Sequence, residues 1–68
     1  MGDFDENIRR CKEWRAQAVQ RLHDLESGER RFLNGVEVTE DHKKRERLII
    51  QQMDVLIPAY EAHNSEHP

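Results

Sequence analysis

Two glycine-bearing breaks, Ser27-Gly28 and Asn34-Gly35, divide this chain, and on either side of them the apolar residues recur at helical spacing. That arrangement limits the chain to two amphipathic segments joined by a short turn. Gly28 can adopt the left-handed conformation that ends a helix without a steric penalty, so the first segment should stop near Ser27. Asn-Gly is the strongest short turn signal. Phe32, Leu33, Val36 and Val38 around it admit either a very short β-hairpin within 31–38 or an ordered turn that caps the core.

The first segment opens with Asp3, a carboxylate N-cap, and, three residues on, Glu6, which makes an acidic first turn that suits the positive end of a helix dipole. Phe4, Ile8, Cys11, Ala18, Leu22 and Leu25 then fall on one helical stripe, which Arg15 interrupts and Trp14 and Val19 widen. A helix is expected over about 3–27. In the second segment Thr39 is the expected N-cap, with Glu40 and Asp41 behind it. Ile49, Met53, Leu56 and Tyr60 form its stripe, broadened by Ile50 and Ile57, and the helix is expected over about 39–62. Pro58 removes a backbone donor and crowds the carbonyl of Asp54, so a kink or restart is expected there. Residues 63–68 are polar and are read as a flexible tail.

The expected fold is therefore all-α, a two-helix antiparallel hairpin occupying 1–62 as a single domain. With 68 residues, 35% hydrophobic and 37% charged, such a hairpin has little to bury. Both apolar stripes are nevertheless wider than one partner helix can cover. Chains below about 70–80 residues without disulfide or metal commonly gain stability by oligomerising. A homodimer closing into a four-helix bundle is the expected solution, with Trp14, Val19, Ile50, Met53, Ile57 and Tyr60 as its candidate interface. The competing arrangement folds the Phe32 to Val38 turn over the helices to close a monomeric core.

Catalytic classes find little support. Cys11 is the single cysteine, which rules out an internal disulfide and a zinc site of paired cysteines. Its expected stripe neighbours Ile8 and Ala18 make it a packing residue. His63 and His67 have the spacing of two ligands on one helical face but fall in the expected tail, without the glutamate a zinc hydrolase uses. No glycine-rich phosphate loop or nucleophile elbow is present. The carboxylates alternate with lysine and arginine at helix-pair spacing, as Glu6 does with Arg10 and Asp24 with Arg21. No catalytic residue, metal or cofactor is expected, and the chain is read as non-enzymatic.

The formal net charge of −3 gives no long-range attraction to nucleic acid or to an anionic membrane. No apolar run approaches the ~20 residues that span a bilayer, and no basic stretch leads into an apolar one at the N-terminus, so a cytoplasmic protein without a membrane partner is expected. Two local basic clusters are exceptions, Arg9, Arg10, Lys12 and Arg15 on the first helix and Lys43, Lys44, Arg45 and Arg47 at the start of the second, and the latter with Arg30 and Arg31 around the turn are the candidate phosphate contacts. Glu29, Glu37, Glu40, Asp41 and Glu46 share that region and no aromatic is interleaved, which disfavours nucleic acid as a partner. Self-association or docking on a partner protein is the first expectation, nucleic-acid contact through this basic set the alternative to it, and a phage-type assembly or inhibitory protein a third.

The order of Leu22-His23-Asp24-Leu25 before Gly28, then an Asn34-Gly35 turn, then a second helix is similar to that of the small head-to-tail joining proteins of tailed phages. The likeness covers about half the chain and implies a helix, hairpin, helix order and docking onto a larger assembly. Shorter hairpin arms and the lack of a basic tail set this chain apart. A charged helical hairpin of this length also resembles in outline the small bacterial RNA-binding hairpin dimers that form four-helix bundles, a likeness of shape that leaves function open.

Overall fold

The computed structural model describes residues 4–66. Helix α1 runs Asp5–Glu26, strands β1 (Phe32–Leu33) and β2 (Val36–Glu37) form a minimal antiparallel ribbon, and helix α2 runs Thr39–Glu66. The helices lie against each other as an antiparallel hairpin, mostly helical as the spacing predicts. Asp3, the expected cap, and His67 lie outside the described residues. Phe4 stands before the first turn and makes no side-chain cap.

The molecule is a rod of 50 × 18 × 14 Å with a radius of gyration of 15.4 Å, where a compact chain of this length would have about 11 Å. Its 5199 Å² of accessible surface likewise exceeds the about 4500 Å² expected for its mass. Both figures have one cause. Two helices side by side make a single layer, and a single layer has a seam but no interior; Ala18 and Leu25 are its only buried hydrophobic residues among those described.

The seam has a strict period. On α1 the residues turned into it are Phe4, Ile8, Cys11, Arg15, Ala18, Leu22 and Leu25, alternately four and three apart. On α2 they are Thr39, Lys43, Glu46, Ile50, Met53, Ile57, Tyr60 and Asn64, with the same alternation. Arg15 thus continues its stripe rather than breaking it, and its guanidinium meets Asp54 across the seam at 2.6 Å. The phase of α2 differs from the expected one: Ile50 and Ile57 are seam residues, and Leu56 is turned outward with 38% of its surface exposed. Thr39, Lys43 and Glu46 set that phase, and a reading by apolar residues alone misses polar seam positions.

Pro58 does not restart the helix, which continues to Glu66 and keeps the period through Ile57, Tyr60 and Asn64. Pro58 and Asp54 are both exposed, so water can bond the carbonyl that the missing donor leaves unpaired. Residues 63–66, expected in the tail, are helical, and His63 and Asn64 meet the start of α1. Tyr60 and His63 flank the Phe4 ring, with centroids 5.0 and 4.8 Å away. The Asn64 Oδ1 accepts the Phe4 N–H at 3.1 Å while its Nδ2 donates to Asp5 at 2.9 Å.

At the other end, Asn34 at φ 51° and Gly35 at φ 82° make the left-handed pair that a two-residue hairpin turn needs. Phe32 faces Glu37 and Leu33 faces Val36. The turn does not fold over the helices: Phe32, Leu33 and Val36 are 61%, 63% and 64% exposed. Thr39, expected to cap α2, is buried and accepts the Arg31 N–H at 2.9 Å, closing the base of the hairpin beside the Val38 N–H to Arg31 carbonyl bond of 2.8 Å.

Candidate functional site

The seam divides the hairpin into two faces. Written as heptads, Lys12, Val19 and Glu26 of α1 and Arg47, Asp54 and Glu61 of α2 flank it on one side. This side is ionic. Lys12 meets Glu61 at 3.4 Å, Arg47 meets Glu26 at 3.6 Å, and Arg15 meets Asp54 between them.

The opposite flank carries Asn7, Trp14 and Arg21 from α1 and His42, Ile49, Leu56 and His63 from α2. Its middle is apolar. Trp14 lines a shallow groove with Arg10, Cys11 and Met53, and an adjoining depression on α2 is lined by Gln51, Gln52, Val55 and Leu56. Leu48 and Val55 extend the band outward. Trp14, Leu48 and Val55 expose 55%, 53% and 67% of their surface, Val55 beside Leu56 in the α2 depression and Leu48 one heptad before it on the back of the helix.

The six interface candidates do not share one surface. Ile50, Met53, Ile57 and Tyr60 are half-buried in the intramolecular seam. Val19 projects from the ionic face, beside the Arg15–Asp54 pair. Trp14 alone lies fully on the apolar face, and Met53 reaches it through the groove. The face also contains Leu48, Gln52, Val55 and Leu56, which the sequence reading left out or placed in the core. Cys11 is half-buried at the groove floor beside Trp14 and Met53.

The candidate phosphate contacts are drawn into ion pairs. Arg30 meets Glu37 at 3.1 Å, Arg31 meets Glu29 at 3.3 Å and Lys43 meets Glu40 at 3.3 Å. Arg47 is held by Glu26. Lys44 and Arg45 have no ion pair among the described residues, and they lie on the outer side of α2 rather than at the turn. At the start of α1, Arg9 bonds both Glu6 and Glu13, and its hydrogen bond holds the Glu6 carboxyl below the usual carboxylate range.

Among the described residues no three His, Cys, Asp or Glu side chains are grouped to hold a metal ion, and no helix is long and apolar enough to cross a membrane. No family model, curated protein or solved structure matches this chain.

Proposed function

We propose that this chain is a non-enzymatic interaction protein that acts as a homodimer, two hairpins closing their apolar faces on each other into a four-helix bundle. The observation that carries this reading is the asymmetry of the hairpin. One flank of the seam is occupied by the Lys12–Glu61 and Arg47–Glu26 pairs, whereas the other presents Trp14 and Leu56 to water, with Val55 and Leu48 following on the back of α2. Burying such a band gains roughly 25 cal/mol per Å² of apolar surface. Water excluded from the face also shields the half-buried Ile49 and Met53 behind it.

Sedimentation equilibrium at several concentrations tests the reading. A dimer is expected for the native chain, with a shift to monomer for the double substitution Val55→Gln and Leu56→Gln, whose side chains lie outside the intramolecular seam. A native chain that stays monomeric at all concentrations and unfolds cooperatively overturns it.

A further inference from the structure

We infer that the apolar face is closed by a second copy of this chain lying antiparallel, with the two-fold axis crossing the rod at the level of Gln17 and Gln52. This rests on the homodimer proposed above and adds its direction and register. The seam fixes which residues of the two helices share a level. Arg15 bonds Asp54 and Arg21 bonds Glu46, so Gln17 stands level with Gln51 and Gln52.

About that level each helix is matched to its own reverse. On α2, Ile49 and Leu56 in the inner row are placed symmetrically around Gln52, which with Arg45 and Ala59 makes the outer row, and Leu48 and Val55 stand beyond it on the back of the helix, also placed about Gln52. On α1, the outer row of this face reads Arg10, Gln17, Asp24, symmetric in position and opposite in charge. Arg10 is 73% exposed, with a 3.2 Å contact to Glu6. Asp24 has no ion pair among the described residues and accepts a hydrogen bond from Gln20 at 3.0 Å.

A two-fold axis perpendicular to the rod lays α2 on α2 and α1 on α1, each reversed. Ile49 then meets Leu56 of the second copy, Leu48 and the second copy's Val55 border that contact at its outer edge, the two Trp14 rings lie close to the axis, and Arg10 faces Asp24 twice. An isologous contact of this kind is self-complementary and closes at two copies. The other way to join these faces has the axis along the rod and lays α2 on α1 of a parallel copy. That arrangement does pair Asp24 with Arg45, but it sets Ile49 and Leu56 against Arg10, Gln17 and Arg21, with Trp14 as the only apolar cover. Apolar surface gains by burial when both sides leave water, and polar side chains buried against it need partners that this face does not hold.

The test uses single cysteines on exposed or half-exposed positions in a Cys11→Ser background, joined by a short bis-maleimide. Gln52→Cys alone should link to itself, and an equal mixture of Arg10→Cys and Asp24→Cys should give the mixed dimer as its main product. Linking of Asp24→Cys with Arg45→Cys, without self-linking of Gln52→Cys, overturns the antiparallel direction. Sedimentation of the Cys11→Ser protein separates the two failures: a dimer with the wrong linking pattern removes only the direction, and a monomer removes the homodimer with it.

Discussion

Arg21 reaches from α1 to Glu46 on α2, Nε to Oε2 at 2.8 Å, and holds a carboxylate whose side chain is 9% exposed while its own is 37% exposed. Glu46 occupies a seam position that an apolar residue would normally fill, and Arg21 covers it from the flank with its outer end in water.

Removing one partner of such a pair is costlier than removing both, because the remaining charge stays buried without compensation. Arg21→Leu should destabilise the fold by about 2–3 kcal/mol, less than a fully enclosed pair because Arg21 is partly solvated. Adding Glu46→Leu should restore the loss or exceed it. Urea titrations of the three variants decide the matter; a neutral Arg21→Leu would mean that water reaches Glu46 and the seam is open there.

The N-terminus of α1 is held from the far end of the sequence. Phe4 has no cap of its own, and the Asn64 side chain accepts its N–H. Loss of an N-cap typically costs ~1 kcal/mol. Asn64→Ala should lower the melting temperature and speed amide exchange in the first turn of α1, leaving the hairpin end unchanged, whereas Asn64→Asp keeps the acceptor. Unaltered exchange near Phe4 in Asn64→Ala would refute the contact.

Leu56 and Ile57 mark how far the sequence could be read. Two helices, a hairpin at Asn34-Gly35 and a stop at Gly28 follow from local chemistry, each set by a few neighbouring residues. The phase of α2 does not, because it is set by Thr39, Lys43 and Glu46, whose place in the seam depends on partners in α1 and at the hairpin base. The same one-step error put Leu56 in the core and hid the face it belongs to. The ionic flank was equally hidden, since Lys12 with Glu61 and Arg47 with Glu26 are pairs only after the chain has turned back. The two residues give a direct check: Ile57→Ala should cost ~2 kcal/mol or more, and Leu56→Gln should weaken self-association with little change in the stability of the hairpin. Equal destabilisation by both would return Leu56 to the seam.

Glu6 supplies a pH expectation. The hydrogen bond from Arg9 lowers its pKa in the folded chain, with Arg10 adding to the effect. A carboxylate with a depressed folded pKa stabilises above its unfolded pKa, and that contribution disappears as the pH falls through the folded value. The side chain is exposed, so the effect on stability should be small. The titration itself is readable by carboxyl NMR: Glu6 should titrate below the usual carboxylate range, and Arg9→Gln should move it back up. A Glu6 that titrates normally in the native chain would show that the pair does not persist in solution.

Pro58 sits on the outer side of α2, opposite the seam. Its ring displaces the bond that residue 58 would donate to the Asp54 carbonyl, yet Ile57, Tyr60 and Asn64 keep the seam period on both sides of it. A proline in a helix interior costs ~3 kcal/mol or more relative to alanine, and no packing contact that needs a bend is evident here. Tyr60 reaches Phe4 along the continuing helix, so its position does not require a restart after Ile57. Pro58→Ala should therefore supply the missing bond and raise the melting temperature. The Tyr60 and Phe4 ring shifts should stay as they are, and amide protection should increase at residue 58 and in the turn before it. If instead Tyr60 loses its ring-current shift, or if stability falls, the proline holds a bend on which the aromatic end of the seam depends.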